Sequence, residues 1–192
     1  IDEETGQKRK LSKRKDPELS LDFYRNLGYH PAAVREYLLT ILNSNFEEWR
    51  IANPDADIDE FEFTTEKMGN SGALFDLNKL NDVSKDVLLK ISAHDLYDFL
   101  KGWADEFKKD DEKIQNMLKD RAYLETVIDI GRHEDKPRKD HVSASQMVKN
   151  LSYFFDDMFE IEDEMPEEVV KAGDVKNIIN KYLETYNHSD DQ

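Results

Sequence analysis

Gly6-Gln7-Lys8-Arg9-Lys10-Leu11-Ser12-Lys13-Arg14-Lys15-Asp16 places six cations among the eight residues from Lys8 to Lys15. Ammonium and guanidinium groups make charge-assisted hydrogen bonds to phosphate oxygens, Gly6 permits a tight turn, and Ser12 adds a hydroxyl. Such a loop can hold a polyphosphate. By composition alone the same run also reads as a nuclear-localisation-like or nonspecific polyanion-binding arm. The residues downstream decide between the two.

Lys10-Leu11-Ser12-Lys13-Arg14 resembles the KMSKS signature of class I aminoacyl-tRNA synthetases, in the KLSKR form of glutamyl-tRNA synthetases and close to that of the glutaminyl enzymes. The segment Ser20-Leu21-Asp22-Phe23-Tyr24-Arg25-Asn26-Leu27-Gly28-Tyr29-His30-Pro31-Ala32-Ala33-Val34 is similar to that family's post-signature run, in which a "GY-x-P-x-A" turn opens the next helix. A third stretch, Ser71-Gly72-Ala73-Leu74-Phe75-Asp76-Leu77-Asn78-Lys79-Leu80, resembles its "S-x-A-x-F-D-x-x-K-L" segment. The three occur in family order. The resemblance implies that Lys13, supported by Lys10 and Ser12, acts in catalysis, and that Lys10, Ser12, Lys13 and Arg14 bind ATP. It also implies an upstream Rossmann domain with a HIGH-type motif, and magnesium, glutamate and tRNA as further participants in the intact enzyme.

Working outward, the chain has 192 residues, enough for a real core or two small domains. Charged residues make up 36% and apolar ones 38%, with only 7 Gly and 5 Pro, which suits a helical protein in water. No apolar run approaches the roughly 18 residues of a membrane span, so a cytoplasmic location is expected. The absence of cysteine removes disulfides, thiol catalysis and Cys-ligated zinc. The five histidines form no His-x-x-x-His pair, and no metal ligands stand out. Because the sequence starts at Ile1 beside the signature, it reads as a C-terminal piece of a longer, monomeric protein.

A net charge of −16 opposes nucleic-acid binding unless positive charge is gathered locally. It gathers at Lys8 to Lys15 and again at Arg132-His133, Lys136 and Arg138-Lys139 through His141, whereas acids crowd Glu47 to Glu66 and the segment from Asp156 onward. Arg121, Arg132, Lys136, Arg138 and Lys139 are the expected tRNA contacts of this half of the chain.

Periodicity and caps predict helices throughout. Asp16-Pro17 starts the first, with Leu19, Phe23 and Leu27 on its apolar face; Pro31 starts the second, with Val34, Tyr37, Leu38, Ile41 and Leu42. A short helix covers Phe46 to Arg50, and Asp57 or Asp59 caps another turn. Ser92 opens a helix buried through Leu96, Phe99, Leu100, Trp103 and Phe107. The fully charged run Lys108 to Lys113 marks a domain boundary. One helical pattern then runs from Ile114 to Ile128, and another, capped by Ser143 or Ser145, continues from Met147 to Phe159. Its Tyr153-Phe154-Phe155 trio reads as core rather than as a base-stacking platform. With the "L-x-D-R" at Leu118 to Arg121, this part is similar to the family's first anticodon-binding bundle. Helices from Pro166 to Gly173 and after Asp174 close the chain.

The expected architecture is therefore all-α: a signature-loop remnant at 1–18, a helical stem-contact region at 19–107 and a helical anticodon-binding bundle at 108–192. A glutaminyl enzyme or a noncatalytic synthetase-like adaptor are the alternatives.

Overall fold

Side-chain caps fix where most of the helices begin. In the computed structural model, which describes residues 16–69, 74–160 and 175–186, the helices are α1 (Leu21–Leu27), α2 (Pro31–Leu42), α3 (Phe46–Ala52), α4 (Leu77–Lys90), α5 (Ala93–Phe107), α6 (Glu112–Met117), α7 (Arg121–Ile128), α8 (Ala144–Leu151) and α9 (Val175–Thr185). The expected all-α class is found: among the described residues the only β-type pairing is an isolated bridge between Asn43 and Met68. Asp76, Ser92, Asp111, Asp120 and Ser143 each accept a backbone N–H of the first turn that follows them. Each cap satisfies a donor that the helix itself leaves unpaired, worth about 1 kcal/mol. Asp57 caps the short turn Ile58–Glu60, and Glu60 reaches back to its amide to complete a capping box. Helix Pro166 to Gly173, expected from sequence, lies outside the described residues.

Three expected helices are shorter than their periodicity suggests. The first breaks at Ser20, whose extended backbone separates a 3-10 turn (Pro17–Leu19) from α1 and whose hydroxyl recaps the chain. Leu19 and Leu27 are consequently exposed, and Tyr24 and Tyr29 take the inward positions. The run from Ile114 to Ile128 splits at Leu118, because Asp120 starts a new helix and the buried Tyr97 hydroxyl donates to the Leu118 carbonyl at 2.8 Å. Helix α8 stops at Leu151, after which Ser152–Phe154 form a 3-10 turn.

Two apolar clusters hold residues up to Met158, which group as one compact unit; residues from Phe159 onward, including α9, form a second. The smaller cluster joins Tyr29, Tyr37 and Leu80 to Tyr24, Val34, Ile41, Phe75, Val83 and Val142. Phe75 meets Tyr37 edge to face, and the Asp76 amide donates to the Tyr37 hydroxyl at 2.8 Å. The family-like "F-D-x-x-K-L" segment is thus an anchor for α4 against α2. The larger cluster runs from Leu88 through Leu96, Leu100, Trp103, Met117, Leu124 and Ile128 to Met147 and Leu151. Each such leucine contributes about 2 kcal/mol by leaving water. Residues on both sides of the charged run Lys108 to Lys113 enter this one core, and the run forms the turn between α5 and α6 and the first two residues of α6.

The end of α1 is held unusually tightly. Gly28 adopts φ +73°, and a Cβ there would lie 2.5 Å from the Ala144 Cβ, so α1 and α8 approach through a position that only glycine fills without strain.

Candidate nucleic-acid interface

The loop between α7 and α8 is built around two inward residues. Gly131, at φ +69°, leaves its Cα side open for the aliphatic part of Arg138, which would collide with any Cβ, and the Arg138 amide donates to the Gly131 carbonyl at 2.8 Å. This closes residues 131–138 into a ring-like turn. Arg132 points inward from it, its side chain only 5% exposed. Its Nη2 donates to the carbonyls of Leu88 (2.9 Å), Leu89 (3.0 Å) and Ile91 at and just past the C-terminus of α4, where the Leu88 carbonyl also accepts the Ile91 amide at 3.2 Å. Burial pushes the guanidinium pKa down, opposed by Asp129 at 3.8 Å. The expected role of Arg132 as a tRNA contact meets a side chain already committed to the fold.

The remaining cations of the loop face outward. Arg138 pairs with Asp140 at 2.7 Å and Lys139 with Asp86 at 2.6 Å, all four side chains well exposed. Lys136 is exposed and makes no ion pair among the described residues. Exposed pairs of this kind are worth less than about 1 kcal/mol and exchange readily for another anion.

Beneath these residues lies a cavity of about 460 Å³ lined by Arg132, Arg138, Asp140, His141, Asn150, Tyr153 and Phe154 over a floor of Val127, Ile128 and Leu151. Two buried polar atoms on its lining lack hydrogen-bond partners among the described residues, Nη1 of Arg132 and Nδ1 of His141. The His141 Nε2 lies 3.2 Å from the Ile128 carbonyl, so it carries the ring proton and Nδ1 is a free acceptor. At the rim, Tyr153 is 67% and Phe154 44% exposed, which corrects the core assignment of two of the three aromatics. Only Phe155 packs on the core, with Tyr123 edge to face at 5.6 Å. Three consecutive positions span about 200° of a helical turn, so one face cannot bury all three. That arithmetic was available in the sequence.

Arg121 stands apart from the cavity lining, at the start of α7. It binds Asp98 at 2.9 Å and Glu125 at 2.6 Å, touches His94 and covers the Tyr97 ring at 4.5 Å. The hydrogen bonds it donates to Glu125 and then Asp98 raise its pKa. The signature residues Lys10, Ser12, Lys13 and Arg14 lie outside the described residues.

No protein-family model matches the chain, and no solved structure matches it. Curated proteins do. The glutamate–tRNA ligase of Acetivibrio thermocellus is 56% identical over 190 residues, covering 98% of this chain and 34% of its own length. Over the length it spans, the chain belongs to the glutamate–tRNA ligase family.

Other glutamate–tRNA ligases agree at greater distance. That of Clostridium perfringens strain 13 is 43% identical over 96% of the chain, and that of Sorangium cellulosum 36% over 99%, each matched across 34% of its own length. The chain therefore spans about a third of the length of these relatives. No helix among its described residues is long and apolar enough to cross a membrane.

His141 is a titratable group of the cavity whose pKa is pushed down. Burial is the largest influence and lowers its pKa from 6.5, opposed next by the hydrogen bond to the Ile128 carbonyl and helped less strongly by the nearby Arg132 and Arg138. A histidine depressed in the folded state is more protonated when unfolded, so stability falls as the pH drops through 6.5 towards the folded value. Urea titrations at pH 7.5 and 5.5 should show this loss, and His141→Gln, which keeps a donor for Ile128, should reduce it. An unchanged pH difference in the variant would remove His141 as a source.

Proposed function

We propose that this chain is the tRNA-binding C-terminal part of a cytoplasmic, monomeric glutamate–tRNA ligase, the enzyme that joins glutamate to tRNA at the expense of ATP. In this reading residues 1–18 carry the end of the catalytic signature, 19–107 the stem-contact helices and 108–192 the anticodon-binding part. Described residues of the latter two regions, as far as Met158, share one core. The ammonium, hydroxyl and guanidinium groups of Lys10, Ser12, Lys13 and Arg14 suit the phosphates of ATP, which would bring its magnesium with it. The chain by itself is expected not to charge tRNA.

The observation that carries the tRNA reading is the cavity beside the basic loop. A guanidinium nitrogen of Arg132 that lies 3.8 Å from Asp129 but makes no hydrogen bond, and an unpartnered acceptor on His141, line it, and two exposed aromatic rings stand at its rim. A nucleobase has a polar edge and two apolar faces, and an unstacked base of a single-stranded loop is the RNA element that such a cavity suits. Lys136, Arg138 and Lys139 are assigned to the neighbouring phosphates, and Arg121, 40% exposed, to the same RNA further along the bundle.

Filter binding of glutamate tRNA to the chain across a salt series tests this. Affinity should fall steeply with salt, and Lys136→Ala or Lys139→Ala should each reduce the logarithmic slope by roughly 0.7 to 0.9. Tyr153→Ala should leave the slope alone while weakening binding by about 1–3 kcal/mol. Salt-independent or absent binding would instead mark the chain as an adaptor for proteins.

A further inference from the structure

One of the acids that neutralise the basic loop comes from a helix far away in the chain. Helix α4 is tied to both ends of the loop: the buried Ser84 hydroxyl donates to the Val142 carbonyl at 2.6 Å, and Arg132 Nη2 donates to the Leu88 carbonyl at 2.9 Å. Val83 and Val142 both pack on the smaller apolar cluster. Asp86 lies between the two ties along α4, so the place of its carboxylate beside the loop is set by buried contacts rather than by the ion pair it makes there.

That pair is with Lys139. Its Nζ lies 2.6 Å from the Asp86 Oδ1, with the lysine side chain 49% and the aspartate 60% exposed. Neither residue lines the cavity, whereas Asp140, the partner of Arg138, does. An RNA phosphate is an oxyanion like the carboxylate and makes the same charge-assisted hydrogen bond to an ammonium. Two anions on one ammonium repel each other, so the phosphate gains its full contact only as the carboxylate gives way.

Resting on the reading of the basic loop as the tRNA contact, we infer that Asp86 is a built-in competitor of the RNA phosphate, and that tRNA binds by exchanging the Lys139–Asp86 pair for a Lys139–phosphate pair. The carboxylate lowers the affinity of the loop by the worth of an exposed ion pair, at most about fivefold. It takes the ammonium back when tRNA leaves. Asp86 thus sets how tightly the loop holds tRNA without touching the base in the cavity.

The test uses the intact ligase containing this chain and measures its affinity for glutamate tRNA by filter binding at about 50 mM and about 300 mM salt. Asp86→Asn should tighten binding about two- to fivefold at the lower salt, with a smaller gain at the higher one. Asp86→Glu, which keeps the carboxylate, should bind as wild type does. In a Lys139→Ala background Asp86→Asn should change affinity by less than about 1.5-fold, because the competitor then has nothing to compete for. Unchanged affinity in Asp86→Asn overturns the inference. So does weaker binding, which would make Asp86 the residue that orients Lys139 for phosphate, and so does an equal gain with and without Lys139, which would be general repulsion. Failure of the wild-type enzyme to bind glutamate tRNA would overturn the underlying functional reading instead.

Discussion

Replacing Lys13 with alanine in the intact ligase is expected to lower aminoacylation kcat by about 100- to 1,000-fold, the cost of removing one preorganised electrostatic partner from a transition state. Forming the glutamyl adenylate expels pyrophosphate, and negative charge grows on it as the bond to the α-phosphorus breaks. An ammonium placed to meet that growing charge stabilises the transition state more than the bound ATP, so its loss falls on kcat rather than on the ATP KM. Lys13→Arg keeps the charge in a different shape and should retain part of the rate. Folding should be untouched, since the apolar clusters are assembled from Tyr24 onward without it. Turnover near the wild-type level in Lys13→Ala would remove the phosphate-binding assignment of the signature run.

How much of this molecule was legible in its sequence depended on whether a residue's role is local or tertiary. Caps are local: Ser92, Asp111 and Ser143 announce their helices because a short polar side chain before an apolar period has one good use there. Helix length was less legible. Leu19, Phe23 and Leu27 keep a helical period across Ser20, yet Tyr24 rather than those leucines packs inward, its hydroxyl donating to the Glu18 carbonyl at 2.7 Å. The period at Ile114 to Ile128 conceals a break for a similar reason, since the hydroxyl that takes the Leu118 carbonyl comes from Tyr97, 21 residues away. The candidate site followed the same rule. Its basic character was visible in Arg132 to Lys139, but the cavity needed Asn150 from the last turn of α8 and Tyr153 and Phe154 from beyond it. The acids that offset the loop included Asp86 of α4, a partner that linear charge patterning cannot supply.

Arg132 is where charge patterning and tertiary structure disagree most, and Arg132→Met should destabilise the chain by about 3 kcal/mol, since each buried carbonyl left without a donor costs about 1–3 kcal/mol. The thioether preserves much of the packing volume but donates nothing to Leu89 and Ile91, and leaves Leu88 with the Ile91 amide alone, at the end of α4 beside the larger core. For a chain of this length that corresponds to a melting temperature lower by roughly 6–12 °C. Arg132→Lys separates the two roles of the residue. A phosphate contact needs only positive charge and would survive the exchange, whereas the shorter lysine stem must carry a more strongly hydrated ammonium, at a desolvation cost, to the place where Nη2 meets three carbonyls. Melting of the lysine variant well below wild type, with the salt slope of tRNA binding unchanged, would place the guanidinium in the fold. A lysine variant as stable as wild type, paired with a methionine variant that loses only tRNA affinity, would return Arg132 to the RNA surface.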